Sequence, residues 1–205
     1  MQRMMFFGDS ICAGSDIPDG KPSDAWPTLF ACDLAGRYRV RNESRGGRPT
    51  DSHEEFEAAI AKEPAPDILV IALGANDSRD LDENMVERAC ANISRMIARA
   101  RERKVGRIIL LGTYNINKDA LGPTYPIRFE RERNLIKLDA AYQLLAVEAR
   151  IEYLPVFGAI PESSLTVDGV HPDKAGNIPI KERVKQYFTR NEVTSRARES
   201  GSLES

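Results

Sequence analysis

Short apolar runs alternate along this chain with longer stretches in which apolar residues recur at every third or fourth position. The runs at 3–7, 39–42, 67–73, 107–112 and 151–156 are mostly β-branched or aromatic and predict five strands. Helical spacing covers 26–36, 51–62, 84–104, 128–150 and 172–190. In the third of these, Met85, Ala89, Ile93, Met96, Ile97 and Ala100 fall on one side while arginines and glutamates fill much of the rest, so one face packs on a sheet. Pro27 near the start and Gly36 beyond the end of the first helix are the usual punctuation of helix termini. Strands separated by helices need crossover connections, which predicts a parallel five-stranded sheet with helices on both faces, an α/β domain spanning residues 1–190. No internal repeat or domain boundary interrupts the pattern. The polar, serine-rich segment 191–205 is expected to be a disordered tail.

Composition narrows the class. With 205 residues, 41% of them hydrophobic and 29% charged, the chain has the make-up of a soluble globular domain with a sizeable core. A formal charge of −2 leaves no global field for a polyanion or an acidic membrane, so nucleic acid is not an expected partner. Cys12, Cys32 and Cys90 cannot all pair within one chain and lack metal-ligand spacing, which argues against a disulfide scaffold or a zinc site and for a reducing compartment. The apolar start at 4–7 is too short for a secretory core or a membrane span. These features together predict a cytoplasmic protein, in which the glycosylation sequons at Asn42, Asn76 and Asn92 are chance matches.

Candidate chemistry gathers after the strands. In an open parallel sheet, ligands collect beyond the carboxyl ends of the strands. There this chain places Gly8-Asp9-Ser10, Gly46-Gly47, Gly74-Ala75-Asn76-Asp77 and Asp168-Gly169-Val170-His171. Singly, each is a helix cap, a turn or a solvated loop. Together they supply what acyl transfer requires: a serine hydroxyl, a base near neutral pH, a carboxylate to hold its tautomer, and donors for an oxyanion. Only His53 and His171 can be the base. His53 lies in an acidic helix start, whereas His171 follows Asp168 by three residues, so His171 is preferred. Gly47, the Asn76 carboxamide and the Ser10 amide fit the donor role.

The segments "FFGDSICAG", "NESRGGRPT", "VIALGANDS" and "TVDGVHPDKAGN" resemble, in order, the four blocks of the SGNH hydrolases, also called the GDSL esterase and lipase family. The resemblance covers residues 6–190. It implies a three-layer α/β/α sandwich of flavodoxin-like type, Ser10 as nucleophile, Gly47 and Asn76 as oxyanion donors, and Asp168 with His171 completing a triad. Ile11 replaces the leucine of the GDSL name, and Arg48 with Thr50 is similar to the arylesterase and acyltransferase branch. The GxSxG elbow of the α/β-hydrolases is absent.

The expected activity is that of a serine esterase acting on a small-molecule ester through an acyl-enzyme, with no cofactor and no metal. Acyl transfer, thioester cleavage and a silent acyl-binding protein on the same fold are the alternatives. The segment "GTYNINKDALGPTYPIRFERER" is expected to wall the pocket with Tyr114, Asn115, Tyr125, Arg128 and Phe129, and Asp9 is a further candidate contact. Because no long apolar lid is evident, short acyl esters and acetylated sugars are favoured over long-chain lipids. "GSDIPDGKP" lacks the spacing and hydroxyl residue of a phosphate loop and reads as a flexible active-site loop. Cys12 is expected to be a packing residue and "ARARERK" an exposed helix end.

Overall fold

The apolar runs form one parallel sheet in the computed structural model, which describes residues 1–122 and 127–201. In chain order the elements are β1 (Gln2–Gly8), α1 (Ser10–Ala13), α2 (Trp26–Asp33), β2 (Tyr38–Asn42), α3 (His53–Ile60), β3 (Ile68–Ala72), α4 (Met85–Glu102), β4 (Arg107–Leu111), α5 (Arg128–Glu148), β5 (Glu152–Leu154) and α6 (Lys174–Gly201). The five predicted strands and five predicted helices are all present, with most ends trimmed by one to three residues. Two features differ from the sequence expectation. The segment after β1 winds into the short helix α1, because the Asp9 side chain caps it by accepting from the Ile11 amide at 3.1 Å. The last helix continues to Gly201, where the polar composition predicts a disordered tail from 191. Extending an existing helix avoids the nucleation cost that an isolated polar segment would meet.

Strand order is β2-β1-β3-β4-β5, all parallel. The chain leaves β1 towards one edge, then crosses back to the other side of β1, so the order reverses between β1 and β3. At that reversal the flanking connections diverge and leave a crevice at the carboxyl ends of the two strands. Ser10 follows one of these strands and Asn76 the other.

Alternating side chains divide the core between the two faces of the sheet. Met4 and Phe6 of β1, with Ile68 and Val70 of β3, pack against Trp26 and Phe30 of α2 and Ile180, Val184 and Phe188 of α6. Met5, Phe7, Leu69 and Ile71 point the other way, onto Phe56 and Ile60 of α3, the apolar face of α4, and Leu138 and Tyr142 of α5. Both faces are covered, which is why β1 and β3 read as nearly continuous apolar runs. Gly8, the last residue of β1, tolerates no side chain: a Cβ there would lie 2.8 Å from Cys12 Sγ and 3.0 Å from the Ala72 carbonyl.

Phe6 anchors this arrangement just before the serine. It is fully buried and meets the rings of Trp26 and Phe30 edge-on at 5.0 and 5.9 Å. Phe6→Ala is expected to lower unfolding free energy by about 3–5 kcal/mol in urea titrations. Val147→Ala, on the exposed side of α5, should change it by no more than about 0.5 kcal/mol.

Candidate active site

Four connections at the carboxyl end of the sheet bring the predicted chemistry together. The Ser10 hydroxyl lies 2.8 Å from His171 Nε2, across 161 positions of sequence. On the other side of the ring, His171 Nδ1 lies 2.6 Å from Asp168 Oδ2. A carboxylate can only accept, so the Nδ1 proton is held on the Asp168 side and Nε2 is left to accept from the serine. The carboxylate is itself fixed by its own loop: Asp168 Oδ1 accepts from the backbone amides of Val170 and His171 at 2.9 and 2.8 Å. His53, the other histidine, lies elsewhere, 3.0 Å from Asn92 Oδ1.

A cavity of about 590 Å³ opens in front of this trio, bounded by Gly47, Ala75 and Asn76 on one side and Asp168, Val170 and His171 on the other. Gly47 has φ of +69°, a backbone conformation that glycine adopts without strain. Both ends of the Asn76 carboxamide are tied. Its Nδ2 donates to the Arg48 carbonyl at 3.1 Å, and its Oδ1 accepts from Arg79 Nη2 at 2.5 Å. That pairing fixes which end of the amide is nitrogen and leaves one N–H for another acceptor.

Arg48 joins the parts that the sequence treats as separate blocks. The residue is 5% exposed. Nη1 donates to the carbonyls of Gly8 at 2.9 Å and Glu43 at 2.6 Å, while Nε and Nη2 bind Glu55 Oε2. The guanidinium carbon sits 4.1 Å from the centre of the Phe7 ring. One side chain thus ties the end of β1, the exit of β2 and the first turn of α3, while the same residue's carbonyl orients Asn76. A second tie runs from Thr50, whose hydroxyl and amide both donate to Asp77, at 2.5 and 3.1 Å.

Electrostatics match this geometry. Burial alone would push the His171 pKa down, but the hydrogen bond and charge of Asp168, helped by Asp16 and Asp9, outweigh it and the value is raised above the ordinary 6.5. Asp168 shows the reciprocal effect: burial pulls it up, yet its bonds from His171 and Val170 hold it down at about 2. Asp9 is pushed up to about 7 by burial, against the Ile11 amide bond and the charge of His171. Its Oδ2 is buried without a partner, a position that favours the neutral acid.

Several expected wall residues lie elsewhere. Asp9 is 1% exposed and caps α1 behind the serine instead of facing the cavity. Tyr114 is also buried, its hydroxyl 3.4 Å from Cys12 Sγ. Asn115 exchanges two hydrogen bonds with the Ile160 backbone and so pins the loop after β4. Arg128 and Phe129 pair with each other at the start of α5, away from the cavity lining. Tyr125 falls outside the described residues. The segment does wall the cavity, but through Ala120 and Leu121, with Arg131 contributed by α5. Arg131 donates to Ser78 Oγ and to the Ala75 carbonyl, both at 3.2 Å. Neither Arg131 nor Arg79 carries a signal in sequence, because arginines on a helix and beside a turn read as solvated surface. Among the described residues, no group of three or more His, Cys, Asp or Glu side chains could hold a metal ion, and no helix is long and apolar enough to cross a membrane.

Comparison with known proteins shows the family and the fold. The chain is 26% identical over 191 residues to the esterase TesA of Pseudomonas aeruginosa, an alignment covering 89% of this chain and 86% of that protein. A crystal structure of TesA superposes with a TM-score of 0.71 at 25% identity, over 90% of this chain and 97% of the other. The lipase/acylhydrolase of Enterococcus faecalis gives 0.74 at 23% identity, over 93% and 97%, a likeness that speaks for the fold alone. The model of the GDSL-like Lipase/Acylhydrolase family matches residues 6–177, which takes in all four loops of the site, and the chain belongs to that family.

Proposed function

We propose that this protein is a serine esterase that cleaves small carboxylic esters through an acyl-Ser10 intermediate. The observation that carries the reading is the unbroken line Ser10 Oγ, His171, Asp168, with contacts of 2.8 and 2.6 Å, opening on a cavity. As Ser10 Oγ bonds to the ester carbonyl carbon, its proton passes to His171 Nε2. The carbonyl oxygen becomes an oxyanion, received by the amides of Ser10 and Gly47 and by the remaining N–H of Asn76. Collapse breaks the bond to the alcohol oxygen, which takes the proton from Nε2. Water then repeats the sequence on the acyl-enzyme, giving its proton to Nε2 and releasing the acid and free Ser10. Every catalytic group in this route comes from the chain itself, so no cofactor is called for.

Short acyl groups suit the cavity. Its apolar lining comes from small or medium side chains, Ala75, Ala120, Leu121, Val167 and Val170, while Asp16, Arg79 and Arg131 add to the polar lining beyond the triad and Asn76. A cytoplasmic location is part of the proposal, supported by Cys12, Cys32 and Cys90 as free thiols.

Chromogenic esters of increasing acyl length, compared between the native protein and Ser10→Ala, test the reading. Activity should be highest for the shortest chains and vanish in the variant; activity surviving in Ser10→Ala would remove the proposed nucleophile. Asn76→Ala should lose about a hundredfold to a thousandfold in kcat while remaining folded by circular dichroism. Arg48→Ala, which frees the Gly47 loop and the Asn76 carboxamide from β1, should lose about tenfold to a hundredfold in kcat with little change in KM. Arg48→Lys should recover part of that loss.

The pH dependence has a defined sign. Only the neutral imidazole accepts the serine proton, and the His171 pKa is raised, so kcat/KM should climb with pH through a limb above 6.5. Asp168→Asn removes the carboxylate that raises it and should both depress the rate and move the limb downwards. A limb in the native enzyme at or below 6.5 would contradict the assignment of the base.

A further inference from the structure

Asp16 stands at the reacting side of the imidazole, and apart from its field on His171 the route through the triad gives it no bond to make or proton to carry. It lies in the loop after α1, lines the cavity, and places Oδ2 3.6 Å from His171 Nε2, the nitrogen that faces Ser10. At that separation the contact is not a direct hydrogen bond. Among the described residues the Asp16 carboxylate makes no other ion pair or hydrogen bond, and its side chain is 56% exposed. Gly46 is a neighbour as well: a side-chain carbon there would lie 4.0 Å from Oδ2. The carboxylate is therefore close to both the second loop and the imidazole, in the cavity lining.

This is the place that the alcohol half of an ester must occupy. The leaving oxygen takes its proton from Nε2, so it comes within hydrogen-bond reach of that atom, on the side where Asp16 waits. A hydrogen-bond donor on the carbon next to the leaving oxygen then falls within reach of Oδ2, and a bond to an ionised carboxylate is among the stronger ones a substrate can make. Arg79 and Arg131 offset the charges of Asp16 and Asp168 in the cavity lining, so a neutral hydroxyl suits the pocket as the donor. Resting on the serine-esterase reading, we propose that Asp16 is an alcohol-side specificity residue, selecting esters of polyols or sugars that carry a hydroxyl adjacent to the ester oxygen.

The test compares 2-hydroxyethyl acetate with 2-methoxyethyl acetate, followed by titration of released acetic acid. The two alcohols have a similar electron-withdrawing substituent and differ in the donor. The native enzyme should favour the hydroxyl ester by about tenfold in kcat/KM. Asp16→Ala should bring the ratio close to one, and Asp16→Asn, which keeps an acceptor but no charge, should fall between. Because Asp16 also acts on His171 through its field, a variant that slows both esters equally, with the ratio intact, would overturn the proposal. So would a native enzyme that does not distinguish the two. Failure to cleave either ester in a Ser10-dependent way would instead overturn the esterase reading on which the proposal rests.

Discussion

The hydrogen bond between Ser10 and His171 is the contact on which the site depends, and it cannot hold itself together. Closing a flexible loop of 161 residues costs roughly 4 kcal/mol or more in chain entropy, whereas one such bond returns about 0.5–1.5 kcal/mol. Its survival is therefore a property of the sheet. Phe6 and Phe7 bury β1 from both faces, β2 and β3 pair with it on either side, and the loops that emerge have little freedom left to lose.

Within that frame the polar groups are ordered in tiers. Asp168 holds the imidazole, and two backbone amides hold Asp168. The Asn76 carboxamide is held at both ends, by the Arg48 carbonyl and the Arg79 side chain. Arg48 in turn spans β1, the exit of β2 and α3, so the nucleophile and the glycine loop are tied by one buried cation whose hydrogen bonds are largely satisfied. Such an arrangement suits a reaction whose charge develops at one oxygen, since donors already in place need no reorganisation when that charge appears. Asp9 adds a buried carboxyl behind the serine, its pKa pushed up to about 7 by burial.

Much of this could be read from the chain because the fold converts order in sequence into place. Each of the four blocks ends or follows a strand, and parallel strands deliver all their carboxyl ends to one side. Ser10, Gly47, Asn76, Asp168 and His171 line one cavity as the spacing implied. Reading failed where a side chain's direction depends on a turn that periodicity does not encode. Asp9 turns inward once α1 forms, and Tyr114 packs onto Cys12 beneath the site. Arg48 and Arg131 look like surface residues in sequence and are 5% exposed in the fold, each satisfied by carbonyls that come from distant segments. Asp16 was legible only as part of a loop rich in glycine and proline, since nothing local places its carboxylate beside an imidazole 155 positions later.

The convergence of the loops on a single reacting centre is tested most directly by a crystal structure of the native protein after treatment with a serine-reactive phosphonate. Phosphorus should be bonded to Ser10 Oγ, with one phosphonyl oxygen within hydrogen-bond distance of the Ser10 amide, the Gly47 amide and Asn76 Nδ2. An adduct on any other side chain, or a phosphonyl oxygen turned away from Gly47 and Asn76, would contradict a shared centre.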